Sequence, residues 1–143
     1  METMMKTILT FSKNLRLLYI EDNEQSRTFT LELLTRFFDD IIVAKDGFEG
    51  LQKVQENFID LILTDINMPN LDGIKMTLQI KSMNKNIKVF ALTAHNEDDI
   101  KESSYNAGID VYLEKPLRLN QFIEAIYTFV TENNNLSDVE NGK

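Results

Sequence analysis

The chain has 143 residues, of which 43% are hydrophobic, and its 15 Lys and Arg residues against 23 Asp and Glu residues give a net charge of −8. This size fits one globular domain, and the acidic balance argues against direct binding to nucleic acid or to an anionic membrane, since both need a basic surface. The sequence contains no cysteine, which excludes disulfides and thiolate metal sites and is consistent with a cytoplasmic location. We also expect neither a membrane span nor a signal peptide, because the apolar runs are short and the N-terminus lacks a cleavage pattern.

Short apolar runs alternate with apolar stripes at helical spacing along the whole chain. In chain order, they predict a strand at 15–20 and a helix at 23–38, a strand at 39–44 and a helix at 47–58, a strand at 59–64 and a helix at 72–83, a strand at 86–93 and a helix at 96–107, and a strand within 110–115 and a helix at 119–132. The side chains expected to point inward are Phe29, Leu33, Leu34, Phe37 and Phe38 in the first helix, Leu51, Val54 and Phe58 in the second, Ile74, Leu78 and Ile80 in the third, and Phe122, Ile123, Ile126 and Val130 in the last.

This alternation predicts an α/β domain with a five-stranded parallel sheet, flanked on both faces by five helices and joined by right-handed crossovers. The continuous apolar character of the strands is typical of a sheet that is buried on both faces. We expect the domain to occupy residues 14–132, residues 1–13 to be an N-terminal extension, and residues 133–143 to be a polar tail or the start of a linker.

Polar side chains stand where four of the predicted strands end. In strand order these are Glu21 and Asp22, Asp65, Thr93, and Lys115. Because ligands of an open parallel sheet bind outside the carboxyl ends of its strands, we expect these residues to converge at one edge. An acidic residue after a strand is more often a helix cap, and either Asp22 or Asn23 could cap the helix that follows.

Three carboxylates at one site repel one another unless a cation neutralises them. Oxygen ligands without His or Cys suit Mg²⁺, and Mn²⁺ is possible at the same site. Lys115 adds a fixed positive charge. The strand ends therefore predict a site for a divalent cation and an anionic group.

The motifs at these strand ends resemble the receiver domain of bacterial two-component response regulators, including the single-domain chemotaxis-type members. The resemblance extends over residues 14–132 and rests on four stretches: the pair Glu21-Asp22, the run D-x-N-M-P-x-x-D-G from Asp65 to Gly73, the pair Thr93-Ala94, and the run Y-L-E-K-P from Tyr112 to Pro116. It implies a flavodoxin-like doubly wound sheet with strand order 2-1-3-4-5. It also implies a phosphorylation-controlled signalling switch.

The resemblance assigns a role to each residue of these stretches. Asp65 would accept a phosphoryl group from a sensor histidine kinase or a phosphotransfer protein, with autophosphorylation and autodephosphorylation as its only chemistry. The implied Mg²⁺ ligands are Glu21, Asp22, Asp65 and the backbone carbonyl of Asn67. Thr93 and Lys115 would contact the phosphoryl group, and Tyr112 would act as a switch unless it is only a half-buried strand aromatic. The implied structural residues are Pro69, Gly73 and Pro116, although a loop glycine would also explain Gly73.

Other functions remain open from the sequence. The chain could be a receiver segment of a larger hybrid kinase or of a regulator with an effector domain. A Mg²⁺-dependent phosphatase of the haloacid-dehalogenase type also uses an Asp nucleophile, but that group has a second acid where this chain has Asn67, and a cap domain for which the chain has no room. A flavodoxin-like FMN protein would need a phosphate-cradling loop where this chain has residues 21–24.

Tyr127 and Phe129 are apolar beyond the inward stripe of the last helix. They predict a surface for self-association or for an output partner on the face formed by the predicted helix 96–107, the fifth strand and the last helix. A wider core is the alternative explanation for these two residues.

Overall fold

The structure, a computed structural model, describes residues 2–68, 71–93 and 107–141, with side chains described within these ranges from residue 3 to residue 132. One parallel sheet contains β1 (Arg16–Ile20), β2 (Asp40–Ala44), β3 (Leu61–Asp65), β4 (Lys88–Thr93) and β5 (Val111–Glu114). The strand order is β2-β1-β3-β4-β5, so β3 lies in the middle and β5 at an edge. The predicted fold class and strand order are confirmed.

The described helices are α1 (Glu2–Ser12), α2 (Glu24–Leu34), α3 (Gly47–Glu56), α4 (Gly73–Met83) and α5 (Leu119–Asn141). The caps of α2, α3 and α4 are Asn23, Asp46 and Asp72, whose side chains each accept a hydrogen bond from the backbone N–H three residues later. The predicted helix 96–107 lies outside the described residues except for its last position. Within the described ranges, no helix has both the length and the apolar character needed to cross a membrane.

Helices cover both faces of the sheet, and the strands contribute alternate side chains to two separate cores. In β1, Leu17 and Tyr19 belong to the core that includes residues of α1, α2 and α5. Their neighbours Leu18 and Ile20 belong to the core on the opposite face, beside α3 and α4. This alternation explains why β1 and β3 read as continuous apolar runs.

Both ends of the chain contain more helix than expected. Residues 1–13, expected to be an extension, include α1, which packs on α5. Ile8 is fully buried in the first core, and the Ser12 hydroxyl donates a hydrogen bond to the Phe37 carbonyl. At the other end, the backbone of residues 133–141 continues α5 instead of forming an irregular tail.

Three side chains that were predicted to point inward are exposed. The exposed fractions are 65% for Phe29, 73% for Phe58 and 53% for Leu78. In the first of these helices, α2 stops at Leu34 and buries Thr30 and Leu34, while Phe37 and Phe38 are buried in the segment that follows.

Phe129 is buried, and its ring meets the ring of Phe90 edge-on with centroids 6.2 Å apart. It therefore widens the core, and its predicted place on a partner surface is wrong. Tyr127 is only half-buried and remains available at the margin of α5.

Candidate functional site

The carboxyl edge of the sheet brings together four of the predicted site residues. Asp65 is the last residue of β3 and is only 5% exposed, and Glu21 follows β1 and is buried. Thr93 ends β4 and is buried, and its carbonyl accepts a hydrogen bond of 2.6 Å from the backbone N–H of Lys115. This bond fixes Lys115, which directly follows β5, beside the end of β4.

The Lys115 ammonium forms ion pairs with both buried carboxylates. Its Nζ lies 3.0 Å from Glu21 Oε1 and 2.9 Å from Asp65 Oδ2. The remaining oxygens accept from the backbone, since the N–H of Asn67 lies 3.2 Å from Asp65 Oδ1 and the N–H of Asn23 lies 3.2 Å from Glu21 Oε2. Each carboxylate is therefore held by the same cation and by a backbone donor next to it.

The pKa values at the site show how strongly these charges interact. Burial raises the pKa of Glu21 and the charge of Asp65 raises it further, against the hydrogen bond from Lys115, which lowers it. Burial lowers the pKa of Lys115, but its bonds to Asp65 and Glu21 outweigh burial and raise the pKa above the ordinary value. Lys115 is therefore held as a cation, and one ammonium does not fully offset the negative charge around it.

The acidic side chains fit a magnesium ion. Glu21, Asp22 and Asp65 each offer a carboxylate oxygen, and these oxygens lie within 4.8 Å of one another. Asp22 is exposed and the α2 cap is Asn23, so capping does not explain Asp22. Three carboxylates and one ammonium together carry two net negative charges, which one divalent cation balances. A donor set made only of oxygen atoms is the one that Mg²⁺ prefers.

Gly73 allows α4 to begin directly against the end of β3. Its N–H donates to the Ile66 carbonyl at 2.9 Å. A Cβ at this position would lie 2.5 Å from the Asp65 carbonyl oxygen and 2.9 Å from the Ile66 Cα. Close backbone approach, rather than loop flexibility, therefore requires the glycine.

We expect Gly73→Ala to lower the free energy of unfolding by about 1–3 kcal/mol, because the added methyl group must push α4 away from β3. Urea unfolding followed by circular dichroism measures this loss. Gln79→Ala, at an exposed position of the same helix, is the matched control and should change stability by no more than about 0.5 kcal/mol. Equal stability of the two variants would show that α4 does not approach β3 this closely.

Tyr112 and the two prolines complete the predicted set. Tyr112 pairs with Ala91 in the β4–β5 register, its ring packs against the second core, and its hydroxyl oxygen is buried. The Lys115–Pro116 peptide bond is cis. Pro69 and Ala94 lie outside the described residues.

Two residues near the site were not predicted to belong to it. The Arg27 guanidinium donates to the Glu21 carbonyl at 2.9 Å and so anchors the acidic pair to α2. Phe29 lines a cavity of about 250 Å³ together with Glu21, Lys115 and Pro116. The sequence signal for the Arg27 contact was a basic residue in the first turn after the acidic pair. Phe29 was missed because the sequence analysis assigned it to the inward face of the helix.

Comparison with known proteins agrees with this geometry. A family model described as the response regulator receiver domain matches residues 17–127. The chain is 32% identical over 112 residues to the sensor protein EvgS of Escherichia coli O157:H7, and the match covers 78% of this chain but only 9% of EvgS. The chain therefore spans less than a tenth of the length of that relative.

Solved structures show the same fold. The Francisella response regulator 1452 receiver domain superposes with a TM-score of 0.73 at 28% identity, covering 84% of this chain and 99% of that one. A chain from the Saccharomyces cerevisiae co-crystal structure of the histidine phosphotransfer protein Ypd1 and the receiver domain of its downstream response regulator Ssk1 gives a TM-score of 0.72 at 26% identity, covering 78% of this chain and 86% of that one.

Proposed function

The chain belongs to the response regulator receiver domain family of two-component signalling, and from that premise we propose that Asp65 accepts a phosphoryl group. One observation carries the proposal: Asp65 ends the middle strand of the sheet, buried, with the Lys115 ammonium 2.9 Å away and two further carboxylates beside it. The chain acts as a phosphoacceptor switch rather than as an enzyme with turnover on a separate substrate. A cytoplasmic location is part of the same proposal.

The reaction is transfer between two side chains. A carboxylate oxygen of Asp65 attacks the phosphorus of a phosphohistidine on the donor protein. The P–N bond breaks with its electron pair moving to the imidazole, and an acyl phosphate remains on Asp65. Acetyl phosphate reacts by the same attack of Asp65 on phosphorus, with its P–O bond breaking and acetate leaving. Attack by water on the acyl phosphate later releases phosphate and restores Asp65. Such transfer depends mainly on positioning and charge neutralisation, which the bonds from Asn67 and Lys115 to Asp65 provide.

Phosphorylation adds roughly two negative charges at Asp65. Lys115 already touches Asp65 and can contact the new phosphoryl oxygens without movement of the backbone. Thr93 is bonded to Lys115 through its carbonyl, and we propose that its side chain also turns to the phosphoryl group. Tyr112, which lies on the neighbouring strand β5 three residues before Lys115, then shifts as the Thr93 side chain moves. The expected coupling is about 1–3 kcal/mol, enough to change the populations of two states by a graded amount.

Glu21, Asp22 and Asp65, together with the backbone carbonyl of Asn67, would hold Mg²⁺, and Mn²⁺ would suit the same donors. When bound, the ion neutralises charge on the transferring phosphoryl oxygens. The part played by this chain is to place three carboxylates close together and to hold the Lys115 ammonium beside Glu21 and Asp65.

We expect Asp22→Ala to weaken Mn²⁺ binding by about tenfold or more, since even indirect partners of a metal are typically worth that much. Electron paramagnetic resonance of free Mn²⁺, with Mg²⁺ as competitor, measures the affinity. The method suits a chain without tryptophan, in which intrinsic fluorescence is weak. Asp39→Ala removes an exposed carboxylate that pairs with Lys13 and should leave the affinity unchanged. Equal affinity of both variants would remove Asp22 from the metal site.

The cavity that Phe29 and Pro116 line also borders Glu21 and Lys115, which lie beside Asp65. Phe29 is largely exposed and offers an apolar contact there. A related receiver domain has been solved with a histidine phosphotransfer protein. We therefore propose that a sensor histidine kinase or a phosphotransfer protein docks on α2 and on the turn after β5.

Phe29→Ala is expected to raise the KM for a phosphorylated donor protein about tenfold, as loss of an interface aromatic commonly does, while labelling by acetyl phosphate stays at the wild-type rate. Phosphotransfer profiling against the histidine kinases of the host identifies the donor to use. Phe58→Ala, a similarly exposed aromatic outside this cavity, is the control. A KM change of the same size in both variants would move the docking site away from Phe29.

A further inference from the structure

Strand β2 forms the edge of the sheet opposite to the edge formed by β5, and it pairs with β1 alone. Its three central residues, Ile41, Ile42 and Val43, are β-branched and uncharged, and each is only half-buried. A charge, a proline or a bulge in the middle of an edge strand prevents pairing with another chain, and β2 has none of these. This edge can therefore accept a further strand.

The backbone of β2 directs one set of hydrogen-bonding groups away from the sheet. The Ala44 carbonyl accepts a hydrogen bond of 3.1 Å from the Glu21 N–H, so Ala44 faces β1. Because the direction of these groups alternates along a strand, Ile42 also faces β1, while the N–H and C=O groups of Ile41 and Val43 point outward. The described hydrogen bonds outside the sheet include none to these outward groups.

The two ends of β2 carry opposite charges. Asp39 directly precedes the strand and Lys45 directly follows it, and both are exposed. Lys13 Nζ lies 3.1 Å from Oδ1 of Asp39, which leaves Oδ2 for a second cation. Lys45 forms no ion pair with any residue that the structure describes. An antiparallel copy of the same strand would place its acidic end beside this lysine.

We propose that the β2 strands of two copies of this chain pair antiparallel around a twofold axis at Ile42, so that their five-stranded sheets become continuous. In this register Ile41 lies opposite Val43 of the second copy, and the outward groups of both exchange hydrogen bonds. Asp39 lies opposite Lys45 of the second copy, once at each end.

Other registers satisfy fewer of these groups. A shift by one residue sets outward groups of one copy against inward groups of the other, so the hydrogen bonds are lost. A shift by two residues sets Lys45 opposite Ile41 or Asp39 opposite Val43, so the charge pairs are lost. A second copy is thus the occupant that matches both the hydrogen bonds and the charges of this edge.

The proposed pairing leaves both phosphorylation sites open. Antiparallel strands point the carboxyl edges of the two sheets in opposite directions, and β1 separates β2 from the strand that ends in Asp65. The inference goes beyond the proposed function, because the pairing needs neither a phosphoryl group nor a metal ion. It gives a dimer with two separate phosphoacceptors.

Charge reversal tests the pairing by sedimentation velocity over a concentration series. We expect a reversible dimer for the wild type. Lys45→Glu and Asp39→Lys should each weaken dimerisation about tenfold, because like charges then face each other at both ends. An equal mixture of these two variants should restore the dimer, since each supplies the charge that the other lacks. Their net charges, −10 and −6 from the −8 of the wild type, are both negative, so general attraction cannot explain restoration.

The matched controls are Lys75→Glu and Glu124→Lys, which make the same changes in net charge at exposed positions of α4 and α5. Each should dimerise within about twofold of the wild type at physiological salt, where exposed charges far apart are screened. A wild type that is monomeric throughout the series overturns the inference. Equal weakening by the controls overturns it as well, as does a mixture that associates no better than its components.

Disulfide formation tests the register, because the chain has no cysteine of its own. Directly opposite residues without mutual hydrogen bonds have Cα atoms about 4.5 Å apart, which a disulfide can bridge. Ile42→Cys should therefore cross-link two copies on mild oxidation. Ile41→Cys should not, because its two copies are offset by two residues along each strand and lie beyond the roughly 7 Å limit. Cross-linking of both to the same extent, or of Ile41→Cys alone, overturns the register.

Labelling with acetyl phosphate separates this inference from the proposed function. The cross-linked Ile42→Cys dimer should label to the same extent per chain as its reduced form. Loss of labelling only on cross-linking overturns the arrangement with two open sites. Absence of labelling in both forms contradicts the role of Asp65, while the cross-link itself still supports the pairing of β2.

Discussion

Asp65→Asn is expected to abolish labelling of the chain by acetyl phosphate. The amide keeps the size of the side chain but removes the nucleophilic carboxylate, and no other described carboxylate ends the middle strand. The variant should remain folded, because Lys115 keeps its ion pair with Glu21 and the Glu21 carboxylate loses a buried negative neighbour. Radiolabel from the phosphodonor, normalised to protein, measures the effect.

Asp39→Asn is the matched control for this prediction. Asp39 is exposed, and its only described ion pair is with Lys13 at 3.1 Å, so its labelling should equal that of the wild type. Labelling of the Asp65 variant at the wild-type level would place the acceptor on another side chain, with Glu21 and Asp22 as the nearest candidates.

Phe122→Ala is expected to have the largest effect on stability, a loss of about 3–5 kcal/mol. The Phe122 ring is buried and meets the rings of Phe37 and Phe38 with centroids 5.5 Å and 6.4 Å away. It joins α5 to the turn after α2, and its removal leaves a cavity that neither element can fill. A loss of this size is a large part of the roughly 5–15 kcal/mol that stabilises a typical domain.

Phe29→Ala provides the comparison, since Phe29 is mostly exposed on α2 and its truncation should cost no more than about 0.5 kcal/mol. Urea unfolding followed by circular dichroism gives both values. Similar losses for the two variants would mean that the inward stripe predicted from the sequence is right and that the packing described for α2 is wrong.

The strands were easier to predict than the faces of the helices. Every residue of β3 is buried, and its first three residues, Leu61–Leu63, appear in the sequence as an uninterrupted apolar run. The helical stripes were ambiguous, because Phe29 and Thr30 are neighbours and only the smaller and more polar of them is buried. Apolar spacing cannot reveal such a choice, which depends on where the helix ends and on what packs against it.

The added helices were missed for a related reason. Met4, Met5 and Ile8 are spaced as one helical face, but the short segment gave no reason to expect a partner for it. That partner is α5, which is distant in sequence. The backbone of α5 continues through a stretch whose polar composition suggested a tail, since composition alone does not end a helix.

The convergence of the site could be predicted because a parallel sheet places all its carboxyl ends on one edge. Glu21, Asp65 and Lys115 therefore meet, although their separate strand-end positions give no distances. The sequence could not show that one lysine pairs with both carboxylates, or that Asn23 rather than Asp22 caps α2. Those details depend on rotamers and on hydrogen bonds that only the folded chain defines.

The most direct test of the central claim is chemical mapping of the phosphorylated residue. The full chain is phosphorylated with acetyl phosphate in Mg²⁺, treated with borohydride, which reduces an aspartyl phosphate to homoserine, digested and sequenced by mass spectrometry. We predict homoserine at position 65 and unmodified residues at positions 21 and 22. Homoserine at another aspartate, or a phosphorylated protein in which Asp65 is recovered unchanged, would contradict the account.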